Sequence, residues 1–322
     1  MTGARMAPRF RAMPERRRLS EKGTGLLERL EDKHCAHGLR SPVPFSDSHQ
    51  TPVGAKPMNA SDLFKAAKLP EAIDAQIAEV KANPGDQSKR LFLFEMLAFA
   101  GDLDRARRQI DAVNYGQMEL DTAVLAYRKL LDAEQARRRL FSDGVSPQFL
   151  KEPSEQVRLR LEAVNRLREK RPAEARETLD KAAAATAALH GQLNDKPFTA
   201  LRDCDDLFAG VLEVMAGGNY FWVPLEQVDT VAMNPPRFPR DLLWAPARLE
   251  IRGGPAGDVF LPALYPGSHE HPDHQVKLGR ATDWKGAEGE PVLGVGLRTF
   301  LADDDAVTLL EWRQLQVSAG GA

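Results

Sequence analysis

Three observations predict a multidomain fold, an α-α superhelix of helical repeats followed by a smaller α+β domain with short strands. First, small residues and leucines recur 34 positions apart in the first half: Ala72 with Ala106, Leu69 with Leu103, Ala67 with Gly101. Second, after "AAAATAALHGQLNDKPF" Gly, Pro and Trp become more frequent and helical periodicity fades. Third, the segments beyond are short, bounded by Pro or Gly, and in places alternate apolar with polar residues, as strands with one wet face do. The expected organisation is a leader over 1–57, helical repeats over 58–190 and the α+β domain over 191–322.

With 322 residues the chain can bury two cores. A hydrophobic fraction of 43% and a charged fraction of 28% are those of a globular protein. The formal net charge of −2 gives no global basic field for nucleic acid. Cys35 and Cys204 stand alone, so neither a disulfide framework nor a CxxC site is expected, and a reducing cytoplasm suits them. No apolar run is long enough to span a membrane; the most apolar one, Leu91 to Ala100, carries Glu95.

Residues 1–57 hold eleven Lys/Arg against six Asp/Glu, a net of +5 that leaves −7 for the remainder. Six prolines and the absence of sustained apolar patterning predict a disordered basic leader. Met58, which opens the first patterned helix, is the expected start of the natural protein.

The segment 66–86 reads as a helix end, a tight turn, and a second helix stopped by Pro84-Gly85, and 98–117 repeats that layout. A small residue lets two helices approach and a leucine fills the gap beneath, which is the tetratricopeptide spacing and its mechanics. A third unit appears near Ala175, 69 residues past Ala106. Between them 119–140 reads as a helix without that signature. Pro70 and Pro172 fall in first helical turns, where a missing N–H costs little. Leu91, Phe94, Leu97 and Ala98 form a core-facing stripe. The arginines at 105, 107 and 108 and the run Arg137 to Arg139 read as solvated helix faces, because successive residues spread round the helix.

In the second half "CDDLFAGVLEVMAGG" reads as one more helix stopped by Gly217-Gly218. Asp203, Asp205 and Asp206 would then stabilise its amino end. "YFWVP", "VDTVAM", "ARLEIRG", "GDVFLPALY", "VLGVGLRTFLA" and "AVTLLEWRQLQV" read as strands.

One motif points to a different chemistry. "HEHPDH" places His269, His271, Asp273 and His274 in the H-x-H-x-D-H pattern of a binuclear metallohydrolase. Such a site needs further His and Asp ligands downstream, yet no histidine follows His274. The polar, proline-bearing segment therefore reads as an exposed loop, with a metal-dependent hydrolase as the alternative function. The chain has no P-loop, G-x-G-x-x-G or G-x-S-x-G.

"FLKEPSEQVRLRLEAVNRLREKRPAEA", "RDCDDLFAGVLEVMAGGNYFWVPLEQV", "PPRFPRDLLWAPARLEI", "VFLPALYPGS", "LGRATDW" and "PVLGVGLRTFLADDD" occur in one order over about 59–317. Together they resemble the ImpE family, also called TagJ or SciE-type, accessory components of bacterial type VI secretion. The resemblance implies a non-enzymatic, cofactor-free adapter. It implies binding to the small subunit of the contractile sheath through that subunit's N-terminal helix, and a link to the sheath-disassembling ATPase. No nucleic-acid or membrane partner is implied. The histidines fall between two of these motifs, where the resemblance places a variable loop. Helical repeats form grooves that accept amphipathic helices, so the repeats are one candidate site. The α+β domain is the other, with Trp222, Trp244, Tyr265 and Trp284 as aromatic anchors beside Arg237, Asp241, Arg280 and Asp283.

Overall fold

The computed structural model describes residues 58–318; the expected basic leader lies outside the described residues. Helices come first: α1 (Ala60–Lys65), α2 (Leu69–Ala82), α3 (Gln87–Phe99), α4 (Leu103–Asp111), α5 (Met118–Asp143), α6 (Glu155–Arg168) and α7 (Pro172–Ala184). Asn59, Asp86 and Asp102 cap α1, α3 and α4 by accepting from N–H groups of the first turn.

The 34-residue spacing corresponds to a repeated turn. Ala67, Gly101 and Lys170 all take left-handed backbone conformations, with φ of 58°, 79° and 59°. Each closes the same pair of hydrogen bonds. Ala67 N donates to Phe64 O and Lys68 N to Leu63 O; Gly101 N donates to Ala98 O and Asp102 N to Leu97 O; Lys170 N donates to Leu167 O and Arg171 N to Arg166 O. This is the Schellman ending, which satisfies orphan carbonyls and turns the chain into the next helix. Five residues beyond each turn, Ala72, Ala106 and Ala175 are completely buried. The structure thus repeats a helix–turn–helix unit three times, around a core that includes Phe94, Leu97 and Ala98 of the predicted stripe.

Strands begin at Gly191. The main sheet is antiparallel and has eight strands in the order β2-β1-β13-β6-β7-β8-β4-β5. They are β1 (Gly191–Leu193), β2 (Lys196–Phe198), β4 (Val211–Ala216), β5 (Asn219–Pro224), β6 (Val228–Met233), β7 (Trp244–Ile251), β8 (Ala256–Pro262) and β13 (Gln314–Val317). A three-stranded sheet joins β12 (Asp305–Thr308), β11 (Thr299–Ala302) and β3 (Leu201–Asp203). β9 (Thr282–Lys285) and β10 (Leu293–Gly296) form a hairpin. The coarse expectation of helices followed by an α+β region holds.

Three local expectations are corrected. The helix expected over "CDDLFAGVLEVMAGG" is a turn followed by β4. Val211 to Met215 are buried on both faces, so the run has no alternation from which to read a strand. Gly217 and Gly218 do not stop a helix. With φ of 61° and 93° they make the two-residue turn from β4 into β5, a conformation that suits the strand twist and favours glycine. The segment "AVTLLEWRQLQV" is not one strand: a 3-10 turn at Leu309–Glu311 separates β12 from β13, which belong to different sheets. Finally, Arg137 does not lie on a solvated face. It is buried, whereas Arg139, two residues on, is exposed and pairs with Asp143 at 3.4 Å.

Candidate interaction surface and the charged seam behind it

The inner sides of α3 and α5 are covered by the chain's own sheet region. Trp244 of β7 stacks on Phe94 of α3 with ring centroids 6.3 Å apart. Arg240 reaches Glu95 of α3 in a buried ion pair and lies 4.7 Å from the Tyr127 ring of α5. Arg137 of α5 donates to both carboxylate oxygens of Glu213 on β4, at 2.7 and 2.9 Å, and to Leu264 O at 2.7 Å. Much of the groove between the helices is therefore filled from within.

Behind it runs a seam of buried charge. Glu213 pairs with Arg137 and with Arg298, and accepts from the Tyr220 hydroxyl. Arg298 donates to Asp203 at 2.6 Å, and Tyr265 OH donates to the same carboxylate at 2.6 Å. Arg298 also lies against the rings of Phe208 and Tyr265, at 4.5 and 4.8 Å. Burial works to raise the Glu213 pKa, but Arg137 and Arg298 together outweigh it and hold the carboxyl below its usual range. Asp205 is different: burial, and then the nearby Asp203 charge, push it up to about 7. Burial also pushes the Cys204 thiol up to about 12, so it is a poor nucleophile. The acidic run expected to cap a helix instead serves this seam and a tight turn, with Asp205 accepting from Leu207 N at 2.7 Å and Gly294 N at 2.7 Å.

The aromatic candidates separate by exposure. Trp222, Trp244 and Tyr265 are core residues, while Trp284 is half-buried with its ring 5.9 Å from that of Tyr265. Asp241 is buried and accepts from the backbone N–H groups of Arg237 and Phe238, at 2.8 and 3.0 Å. Arg280 caps the carboxyl end of α1, donating to Lys65 O at 2.7 Å and Phe64 O at 2.9 Å. Arg237 and Asp283 reach the surface. Trp284 N donates to Asp283 Oδ1 at 2.8 Å.

The histidine segment is anchored rather than a free loop. It holds a 3-10 turn at Ser268–Glu270 and the short α8 (His274–Lys277). The His269 ring packs on Gly101 so closely that a Cβ there would overlap it. Burial, and then the nearby Arg138 charge, lower its pKa. His271 Nε2 lies 3.2 Å from Asp283 Oδ2, and Asp273 caps α8 by accepting from Gln275 N at 2.8 Å. Among the described residues no three His, Cys, Asp or Glu side chains are placed to hold a metal ion. A cavity of about 30 Å³ lies between α3, α5 and His269, room for about one water molecule. A second, of about 360 Å³ beside β1 and β2, has His190 as its single titratable lining residue.

The sequence can now be set beside known proteins. The profile described as ImpE protein matches residues 195–316. A Pseudomonas aeruginosa protein named type VI secretion system accessory component TagJ is 33% identical over 266 residues, which is 81% of this chain and 92% of that protein. The chain belongs to the ImpE family. A crystal structure of a Vibrio parahaemolyticus protein shares the fold, with a TM-score of 0.74 and 27% identity over 80% of this chain and 97% of that one. In this ImpE-family chain the motifs that carry the resemblance supply charges that hold the fold together: "RDCDD" gives Asp203 and "VLGVGLRTFL" Arg298 to the seam, "PPRFPRDLLW" gives Arg240 to the pair with Glu95, and "LGRATDW" gives Arg280 to the end of α1. Sequence reasoning missed the Glu95–Arg240 pair and the Arg137–Glu213–Arg298 cluster, because the partners lie 76 to 145 positions apart. It also missed the exposed Phe238, since nothing in "PPRFPR" tells which residue faces water. Among the described residues no helix is long and apolar enough to cross a membrane.

Proposed function

We propose that this chain is a non-enzymatic, cytoplasmic accessory of bacterial type VI secretion. In this reading it is an adapter that binds the N-terminal helix of the small sheath subunit and assists sheath recycling beside the sheath-disassembling ATPase. The observation that carries this reading is the 33% identity to a type VI accessory component across 92% of that protein's length. The repeated Schellman turns support a tetratricopeptide-like superhelix over 58–190, joined to an α+β domain over 191–322. Because sheet residues cover the inner faces of α3 and α5, docking at the surface is favoured over insertion between the helices. Of the anchors proposed from sequence, Arg237, Asp283 and Trp284 are those able to contribute from that surface.

The test is a titration of the full chain against a labelled peptide copying the N-terminal helix of the sheath small subunit from the same genome, read by fluorescence anisotropy. Saturable binding, abolished when the peptide's apolar face is changed to charge, is expected. A folded protein that leaves the peptide free at high-micromolar concentration would remove the reading.

A further inference from the structure

Phe238 is the one aromatic among the large hydrophobic side chains that the described residues expose, at 49% of its surface. Its presentation is unusually well braced. Pro239 follows it and opens a short 3-10 turn, and the Asp241 carboxylate holds both Phe238 N and Arg237 N. The Arg240 guanidinium lies 4.0 Å from the ring centroid and is itself fixed from behind by the buried Glu95. An exposed phenyl held in one orientation loses little further entropy on binding, which is the property of an interface anchor.

The same guanidinium also lies 4.7 Å from the Tyr127 ring centroid and so links Phe238 to α5. Tyr127, Ala123 and Leu120 recur at i, i−4 and i−7 and share one face of that helix. Ala123 and Leu120 are exposed, and Tyr127 is half-buried. The stripe runs about 10 Å along the helix axis from Leu120 to Tyr127, where Arg240 bridges it to Phe238. Glu119 flanks its far end and the exposed Arg237 flanks Phe238. An apolar strip with a negative and a positive terminus matches an amphipathic helix bearing a basic group at one end of its apolar face and an acidic group at the other.

We propose that Phe238 and the Leu120–Tyr127 face of α5 form the docking surface for the partner helix, with Phe238 as its anchor. This rests on the adapter reading above and adds the place and the charge polarity of binding. The test uses the same titration with full-length Phe238→Ala, Leu120→Asp and Arg237→Glu chains, with Val145→Ala as an exposed apolar control away from this surface. Circular dichroism and thermal midpoints establish that each variant is folded. Expected results are a loss of affinity of about tenfold or more for the first two, a smaller loss for Arg237→Glu, and none for the control. Amide exchange of the wild-type complex should show new protection over 118–127 and 234–240. Wild-type binding with Phe238→Ala and Leu120→Asp unaffected, or protection confined elsewhere, would overturn this surface while leaving the adapter reading intact. Failure of the wild-type chain to bind would remove both.

Discussion

The seam between helices and sheet and the outer face of α6 carry the same chemistry, arginine against carboxylate, in different surroundings. At the seam Arg137, Glu213, Arg298 and Asp203 are withdrawn from water, and each charge has at least two partners. On α6, Arg166 pairs with Glu162 at 2.9 Å, but their side chains keep 30% and 49% of their exposure. Water already solvates the second pair, so joining the charges gains little. In the seam no water replaces a lost partner, and removal of one group leaves another charge stranded. The lesson is that the value of an ion pair here is set by what surrounds it rather than by its geometry.

The largest expected effect follows directly. Glu213→Gln leaves two buried arginines short of a counter-charge and should cost about 3–5 kcal/mol in urea unfolding. A cost below about 1 kcal/mol would mean that water reaches the seam. Next comes the contact between the repeat turn and the histidine segment. Gly101→Ala adds a Cβ at φ 79° against the His269 ring and should cost about 2 kcal/mol. Ala67 takes the same conformation in the first repeat, so backbone strain accounts for only part of that cost. A Gly101→Ala, His269→Ala double variant should therefore lose less than the two single losses added together.

A third test uses pH. Burial raises Glu95 to about 7 despite its ion pair with Arg240. Its unfolded value is about 4.5, so between those values the native state keeps a proton that the unfolded chain has lost. Stability should then fall as pH rises from about 4.5 through 7 and level off above. His269 acts in the opposite sense: its lowered pKa makes stability fall as pH drops below its ordinary value of 6.5. Glu95→Gln should reduce the first slope to the share that Asp205, also raised to about 7, contributes, and leave the second, as read from thermal midpoints across the range. A slope unchanged in Glu95→Gln would assign it to Asp205. The smallest effect is expected for Glu162→Ala, under about 1 kcal/mol and shrinking further with added salt.

Much of the helical half was legible because its rules are local. A 34-residue spacing, a proline in the first turn and a small residue where helices touch all act within a few turns of chain. The strands from "YFWVP" to "GDVFLPALY" were legible for the same reason, since Pro and Gly bound them. β4 was not, because a strand buried on both faces loses the alternation that distinguishes it from a helix. The candidate surface was legible in part: Arg237 stood out beside a tryptophan-bearing motif, while Phe238 did not.

The sequence by itself determined the class of the fold, the repeated turn and the family, since each rests on residue identity at fixed short spacing. Only the tertiary structure decided which charges are buried, which aromatics are core and which phenyl faces water. Those properties depend on partners far along the chain. Arg137 and Arg139 have the same side chain, and one meets Glu213 from 76 positions away while the other meets solvent.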